Sequence, residues 1–377
     1  MKKNFLDYIL KNKKLWIILL INIILLVFVY NDSFIYKKTL LKITKETTSY
    51  SYEDNNTSGY KEKYYKQKLK GKILNNDKKG KTVEMKNSFG SSLVYGEKYK
   101  KGDIVFIEKI HTSSGSDTLK GNIAGKKRNF YIMLFFLIML NLLIFVGKKV
   151  GILTIASLFF NLSVFIFILY MHNKGYPLLP LLIPGILTVS TVILILISGL
   201  NVKTFSSLIS TLLTTSIIGV ICFLLIKYTS SIDYEFMEYI KEPYTRHDAD
   251  MIFMGQLLIV GLGAIMDVAI TITATASELI RRNPEISTKN LIHSCKEVSD
   301  DITGTMINII FFTNLAAGLS FFVLSMRNGI SLKSVLHYNV FFELSRFFIG
   351  GIGILLCIPV TIAISILMFK KRKGAVC

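Results

Sequence analysis

Residues 251–273 read MIFMGQLLIVGLGAIMDVAITIT, an apolar run interrupted by a single charged side chain, Asp267. A bilayer core requires about 20 mostly apolar residues per helix, so this run is long enough to cross a membrane. Seven other runs approach the same length. They are residues 15–30, 130–146, 150–171, 177–200, 204–226, 303–326 and 347–369. We therefore predict an α-helical polytopic membrane protein with about eight transmembrane helices, embedded in a lipid bilayer.

Positive charge recurs at one end of the predicted helices. Basic residues follow every second hydrophobic run, at 148–149, 203, 281–282, 289, 296 and 370–373. Short loops rich in Lys and Arg stay on the cytoplasmic side of a membrane, so both termini are predicted to be cytoplasmic. The first run ends at Val27-Phe28-Val29-Tyr30-Asn31 without a small-x-small cleavage pattern, which predicts an uncleaved anchor. The Lys-, Ile- and Asn-rich composition is typical of an AT-rich bacterial genome, so we expect a bacterial cytoplasmic (plasma) membrane protein.

Residues 31–128 differ in composition from the rest of the chain and are rich in Lys, Tyr, Ser, Gly and Asn. Residues 64–74, 82–86 and 104–108 have the alternating or β-branched pattern of short strands, bordered by Gly, Asn or Asp turns. Residues 49–59, rich in Ser, Asn and Thr, are expected to form a mobile linker. The sequence therefore predicts a small β-rich barrel or sandwich outside the cytoplasm.

The predicted organisation has three parts. Residues 1–30 form a cytoplasmic N-terminus and an uncleaved transmembrane anchor. Residues 31–128 form the basic, β-rich extracytoplasmic domain. Residues 129–377 form a seven-helix transmembrane domain with a cytoplasmic C-terminus. Within this last part, Ser287 is predicted to cap a short amphipathic helix, and Pro184-Gly185 is predicted to interrupt the fourth membrane helix.

The net charge of +20 does not by itself indicate a nucleic-acid partner. The basic residues lie outside any nucleic-acid-binding motif, so we expect no nucleic acid. An anionic envelope polymer or anionic lipid is the expected partner of the basic outer domain, with a merely solvated basic surface as an equal alternative. The five histidines are dispersed, no CxxC pair is present, and residues 121–127 lack the spacing of a phosphate loop. We therefore expect no metal, no cofactor, no ATP hydrolysis and no enzyme.

The candidate site lies on the predicted sixth membrane helix. At about 3.6 residues per turn, Asp267, Thr271, Thr275 and Glu278 fall on one face. A charged carboxylate inside an apolar helix costs a few kcal/mol, so this stripe should face other helices or water rather than lipid. An intramembrane carboxylate is a functional candidate by default, and the alternative for Asp267 is a structural hydrogen bond or ion pair.

Polar side chains of the next two helices extend the set of candidates. Asp301, Asn308 and Asn314 of the seventh run could converge with Asp267 on a bound ion or substrate, although the two asparagines point to different faces. Glu343 and Arg346, three residues apart before the eighth run, are predicted to pair with each other. We interpret that pair as structural first.

The motif Gly261-x-Gly263-Ala264-x-x-Asp267-Val268-Ala269 is the most specific of several in this chain. The others are KGDIV at 101–105, GLNVKT at 199–204, EL at 278–279, DI-x-GTM-x-N at 301–308, EL-x-R at 343–346, G-x-G at 351–353 and PVT at 359–361. Together these motifs resemble the YibE/F-like membrane proteins, a bacterial family. The resemblance covers most of the chain and implies the membrane architecture, but it carries over no catalytic residue. It also implies a glycine-rich fifth helix, whereas residues 206–216 are rich in Ser and Thr, so we do not expect the same close packing there.

Three functional hypotheses remain open. The leading one is a secondary, ion-coupled transporter or exporter of unknown substrate, in which Asp267 binds a proton or cation and Glu278 or Asp301 lies at the cytoplasmic exit. The second is a non-transporting cell-envelope scaffold or binding protein anchored by its helices. The third is a membrane-embedded enzyme, since paired carboxylates can perform acid–base chemistry. A homo-oligomer or a partner membrane protein is compatible with each of them.

Overall fold

The structure, a computed structural model, describes residues 13–55, 61–94, 96–112, 119–228, 245–336 and 341–371. It divides into two compact units, Met1–Leu142 and Leu143–Cys377. The first unit contains a helix, a short 3₁₀ turn, five strands and the beginning of a long helix. In chain order these are α1 (Lys13–Tyr30), the 3₁₀ turn (Asp32–Ile35), β1 (Thr39–Asn55), β2 (Lys61–Ile73), β3 (Thr82–Gly90), β4 (Ile104–Thr112), β5 (Leu119–Lys126) and α2 (Asn129–Asn173).

The five strands close into a barrel in the order β1-β2-β3-β5-β4, with β4 paired back to β1. The pairs are antiparallel except for β3–β5, which is parallel and joins only Val83 to Leu119 and Glu84 to Lys120. This is the strand order of an OB-type Greek-key barrel. The prediction of a small β-rich barrel or sandwich is therefore confirmed, with the barrel as the form observed, although β1 and β2 are longer than the predicted short strands, with 17 and 13 residues.

The prediction of a mobile linker at residues 49–59 is wrong for residues 49–55. Residues up to 55 belong to β1, which stays paired with β2 along this stretch. Tyr50 contacts Tyr65 and Tyr52 stacks on Tyr64 across the two strands. Cross-strand aromatic pairs stabilise a sheet, and this outweighs the polar composition that suggested a linker. Residues 56–60 lie outside the described residues.

Alternate residues of the strands fill the barrel, as the two-residue period of a strand requires. Leu41, Leu69 and Val83 are at most 1% exposed. The side chain of Gln67 is also buried, and it donates a hydrogen bond to the Tyr99 carbonyl oxygen at 3.0 Å while accepting one from the Tyr99 amide at 3.1 Å. This buried amide holds the loop before β4 against β2.

In the part of the chain that the structure describes, the second unit contains the rest of α2 and five more helices. They are α3 (Leu178–Ser198), α4 (Val202–Tyr228), α5 (Arg246–Arg282), α6 (Thr288–Arg327) and α7 (Phe341–Lys371), with a single helical turn at Leu332–Ser334. Within the described residues, the six helices from α2 to α7 are long and apolar enough to cross a membrane, and α1 has a shorter apolar stretch, Ile17–Tyr30. The prediction of a mostly helical chain with several apolar helices and an N-terminal β domain is confirmed.

Helix α2 accounts for two of the predicted runs, 130–146 and 150–171. They form two helical segments that meet at a kink without an intervening loop. At the kink Lys148 has φ 48° and ψ −120°, a conformation that residues other than glycine rarely adopt. A Cβ at the nearby Gly151 would contact the carbonyl oxygen of Leu143, so the tight turn requires glycine at that position.

Helix α5 occupies the centre of the second unit and packs against α3, α4, α6 and α7. Helices α4, α5 and α7 approach one another closely at Gly353 of α7. A Cβ added there would lie 3.0 Å from Ile265 of α5 and 3.6 Å from Ile218 of α4. Within the Ser- and Thr-rich stretch itself, the Ser206 hydroxyl lies 3.2 Å from the Ser365 hydroxyl of α7, so this part of α4 also packs closely, contrary to the expectation. Small hydroxyl side chains allow two helices to approach much as glycine does.

Two predicted helix boundaries are also corrected. Ser287 accepts a hydrogen bond from the Asn290 amide, as expected of an N-cap, but the helix that it caps is the whole of α6 and not a short connector. The predicted apolar stripe is present, because Leu291 and Cys295 are buried. Helix α3 continues through Pro184, so that proline does not interrupt it.

We predict that Gly71→Ala destabilises the barrel whereas Gly125→Ala does not. A Cβ at Gly71 of β2 would overlap the Leu41 side chain and lie 2.7 Å from the Lys42 carbonyl oxygen, while a Cβ at Gly125 of β5 meets nothing within 4 Å. Overpacking of this kind costs about 1–3 kcal/mol in free energy of unfolding. Hydrogen exchange of the β2 amides in the purified full-length protein measures the difference. Equal protection in the two variants would contradict the prediction.

Candidate functional site

The predicted polar stripe of α5 lies on its least covered face. The side chains of Asp267 and Thr271 are exposed in the chain, and those of Thr275 and Glu278 are half-buried. Thr271 donates its hydroxyl hydrogen to the Asp267 carbonyl oxygen at 2.8 Å, and Thr275 donates to the Thr271 carbonyl oxygen at 2.9 Å. Both threonines are thus satisfied within their own helix. The Asp267 carboxylate accepts no hydrogen bond from any residue that the structure describes.

The remaining predicted site residues do not converge on Asp267. Glu278 accepts hydrogen bonds from Arg281 and Arg282 in the last turn of α5. Asp301 is exposed on α6, while Asn308 and Asn314 donate to carbonyl oxygens one turn earlier in the same helix. In the described part of the chain no group of three His, Cys, Asp or Glu side chains could hold a metal ion.

A cleft of about 290 Å³ lies between α2, α3 and α5. Its lining is apolar and includes Gly185 of α3 and Gly263 of α5, one helical turn before Asp267. Asn161 of α2 also lines the cleft, and its buried amide oxygen has no hydrogen-bond partner among the residues that the structure describes. Asp267 therefore lies on α5, one turn beyond Gly263, which lines the cleft.

The interior of the second unit contains a set of buried hydroxyl groups that the predicted site omits. It runs along α4 and the helices that pack against it. We call this set the hydroxyl seam, and it consists of Ser190 of α3, Thr204, Ser206, Ser207, Ser210, Thr211, Thr214 and Thr215 of α4, Thr273 of α5, and Thr361 and Ser365 of α7. Each of these side chains is at most 7% exposed.

Two contacts fix the extent of the seam between α4 and α7. Ile218 of α4 lies beside Gly353 of α7, and the Ser206 hydroxyl lies 3.2 Å from the Ser365 hydroxyl. The two helices are therefore antiparallel, and the seam occupies the stretch between these contacts, about 18 Å long at 1.5 Å per residue. From Ile218 onwards the buried side chains of α4 are Ile218 and Cys222, which are apolar. The polar part of the interface is therefore separate from the apolar part.

The hydroxyls of the seam differ in how they are satisfied. Ser207 and Ser210 donate to carbonyl oxygens of their own helix. By contrast, five hydroxyls find no hydrogen-bond partner among the described residues, and these belong to Ser190, Thr211, Thr214, Thr215 and Thr273. A buried polar group without a partner costs about 1–3 kcal/mol, so such groups normally contact water or a ligand.

A buried polar network joins α7 to α5 away from the seam. Arg346 donates to both oxygens of Glu343 at 2.9 Å and to the amide oxygen of Gln256 at 2.9 Å. The Arg346 and Glu343 side chains are only 22% and 15% exposed. The predicted pairing of Glu343 and Arg346 is confirmed, and Gln256 is a partner that the sequence did not indicate.

One sequence signal could have revealed the seam. On α4, Thr204, Ser207 and Thr211 follow one another at three or four positions, and both Thr214 and Thr215 continue that spacing, which places them on one face of a helix. In the sequence alone, the same residues indicate only a departure from a glycine-rich helix. The partners Ser190, Thr273 and Ser365 come from three other helices, and no local spacing relates them to α4.

We predict that Arg346→Leu lowers the free energy of unfolding more than the double variant Glu343→Leu/Arg346→Leu. The single change leaves the Glu343 carboxylate buried without its cation, at a cost of about 3 kcal/mol or more, whereas the double change removes both charges. Denaturant unfolding in detergent micelles measures both variants. A double variant that is less stable than the single one would mean that the pair itself, and not the uncompensated charge, determines stability.

Comparison with known proteins places this chain in a family. Residues 34–126, which include all five strands of the barrel, match the YibE/F family N-terminal domain. Residues 135–371, which include α3 to α7 and most of α2, match the YibE/F-like protein family. Searches of curated proteins and of solved structures returned no match. The two matched regions cover nearly the whole chain, which therefore belongs to the YibE/F-like family.

Proposed function

We propose that this protein is an ion-coupled secondary transporter or exporter whose path passes along the hydroxyl seam. The observation that carries the proposal is the set of buried hydroxyls without partners at Ser190, Thr211, Thr214, Thr215 and Thr273. Lipid offers nothing to satisfy such groups, and a bundle with no role for a polar interior would be more stable with Val or Ala at these positions.

The chemistry of the seam limits what it could carry. The seam supplies neutral hydroxyl oxygens and no formal charge. Magnesium and calcium sites normally include carboxylates, so a divalent cation is a poor match. Neutral oxygens that replace part of a hydration shell suit a monovalent cation or a chain of water molecules. No substrate beyond a coupling ion is assigned.

Asp267 is the proposed coupling carboxylate. It lies in the middle of α5, one turn beyond Gly263 and the cleft between α2, α3 and α5. A charged carboxylate on an uncovered helix face is costly in a bilayer, so it must be protonated, hydrated through the cleft or covered by another protein chain. Of these states, protonation changes the charge of the face, as a coupling group requires. Glu278 is a weaker candidate because two arginines already pair with it.

The proposal includes a specific topology. If the kink at Lys148 divides α2 into two membrane spans and α1 forms another, the helices supply eight spans, with both termini in the cytoplasm. The Lys148-Lys149 pair then lies in a cytoplasmic turn, and the barrel lies outside the cytoplasm. The seam, which begins at Thr204 just after Lys203, then occupies the cytoplasmic half of the bundle. A bacterial plasma membrane is the proposed location.

We predict that the double variant Thr211→Val/Thr215→Val lowers ion flux about thirtyfold in liposomes that contain the purified protein. Each change keeps the shape of the side chain and removes one oxygen ligand, worth about 1 kcal/mol. The matched control is Thr191→Val on α3, because that hydroxyl is exposed and donates to the Leu187 carbonyl oxygen. Flux that survives unchanged in the double variant would contradict a path along the seam.

We predict that Asp267→Asn abolishes the dependence of flux on a pH gradient, because the amide cannot bind and release a proton. The measurement is proton and monovalent cation flux with and without a pH gradient, at matched protein abundance. If the variant retains transport, folding and coupling, Asp267 is not the coupling group. The threonine variants still test the seam in that case.

The alternative is a cell-envelope scaffold or binding protein that the helices merely anchor. The observation that favours it is the closed barrel, a complete domain with its own core. The same liposome experiment separates the two functions, because a scaffold would show no flux in the native chain or in any variant.

A further inference from the structure

We infer that the outer face of the barrel contains a binding site for phosphate esters, formed by β2, β3, β4 and β5. A groove of about 590 Å³ lies on this face, and lysines from three strands line it. Its charged and polar lining side chains are Lys68 and Lys70 of β2, Glu84 and Lys86 of β3, His111 of β4, and Lys120 and Asn122 of β5. This inference does not depend on the transport proposal.

The groove arises from the way in which two strands separate. The parallel strands β3 and β5 are paired only at Val83–Leu119 and Glu84–Lys120. Further along, β3 remains paired with β2 and β5 with β4 on their opposite edges, while the edges of β3 and β5 that face each other have no further pairs among the described residues. The side chains of Lys86 and Asn122, each two residues further along, therefore border an opening in the barrel wall and not a continuous sheet. A concave site with unpaired strand edges is a common place for a ligand.

The strand register places two lysines directly opposite each other in this groove and a third lysine opposite a carboxylate. Lys68 lies directly opposite Lys86, and Lys120 lies opposite both Glu84 and His111. Side chains at such positions have Cβ atoms about 5 Å apart, and like charges there destabilise a sheet. The arrangement is unfavourable for the barrel alone and becomes favourable when an anion lies between the cations.

One carboxylate offsets part of this charge. Lys70 pairs with Glu84 at 2.5 Å. The hydrogen bond from Lys70, together with the positive charge of Lys120 and Lys68, holds the pKa of the Glu84 carboxyl below its usual range. Glu84 is therefore ionised at neutral pH. The four lysines of the groove minus this one carboxylate leave a net charge of +3.

The chemistry of these groups suits phosphate. Lysine ammonium groups bind phosphate as flexible point charges. Successive lysines on one strand are about 6.7 Å apart, and the third strand adds a further cation, so the groove can contact more than one phosphate. OB-type barrels commonly bind extended ligands across the face formed by strands 2 and 3, which is where this groove lies.

The test uses the full-length protein in nanodiscs of neutral phosphatidylcholine, titrated with fluorescently labelled poly(glycerol phosphate). We expect saturable binding that weakens as salt is added. Lys68→Gln, Lys86→Gln and Lys120→Gln should each weaken binding about twofold to fivefold, as expected for exposed ion pairs, and the triple variant more than tenfold. Glu84→Gln should tighten binding, because it removes the one negative charge. Lys86→Arg should retain most of the affinity.

Two further arms complete the design. Lys101→Gln is the matched control, because it changes the net charge by the same amount on an exposed turn outside the groove. We expect no effect of this variant on polymer binding. Chemical acetylation of the lysines, compared between phosphatidylcholine and phosphatidylglycerol nanodiscs without polymer, shows whether a lipid headgroup supplies the phosphate. Protection of Lys68, Lys86 and Lys120 in either arm supports the site. Absence of binding and of protection in both arms overturns it, as does a Lys101→Gln effect equal to that of the groove variants.

Discussion

A membrane supplies no hydrogen-bond partners, so every polar group on a helix within it must be satisfied by protein, water or ligand. This constraint accounts for most of the second unit. Thr271 and Thr275 bond to their own helix, Arg346 binds Glu343 and Gln256, and small residues allow α4, α5 and α7 to meet at Gly353. The hydroxyl seam is the largest group of exceptions, beside the Asn161 amide oxygen and the Asp267 carboxylate, because several of its members are buried and find no partner among the described residues. Buried polar groups without hydrogen-bond partners are expected at functional sites when the other polar groups of the interior have partners.

The two units of the chain have different chemistry. The barrel has a core of Leu, Ile, Val and Met, and its outer groove carries a concentrated positive charge. The second unit places neutral hydroxyls inside and a lone carboxylate on an uncovered face of α5. A protein that merely anchored the barrel would need neither of these last two features. The proposed division assigns ion passage to the helices and recognition of phosphate esters to the barrel, and each assignment can fail without the other.

The sequence predicted the architecture well because hydropathy and strand alternation are local signals. The apolar runs, the N-cap at Ser287 and the pairing of Glu343 with Arg346 depend on residues close together in the chain. The closed strand order did not follow, since the pairing of β3 with β5 joins distant residues. The sequence placed Asp267 on the correct helix but could not show which side other helices cover. It also treated the hydroxyls of α4 as a weakness in packing, because their partners lie on α3, α5 and α7.

The central claim is that the hydroxyl seam is a hydrated or ion-occupied path inside the bundle. The most direct measurement is an experimental density map of the purified protein in nanodiscs, at a resolution that shows ordered water. The account predicts non-protein density within hydrogen-bond distance of the Thr211, Thr215 and Thr273 hydroxyls. It is contradicted if these hydroxyls instead donate to carbonyl oxygens one turn earlier in their own helices and apolar side chains fill the space between α4, α5 and α7.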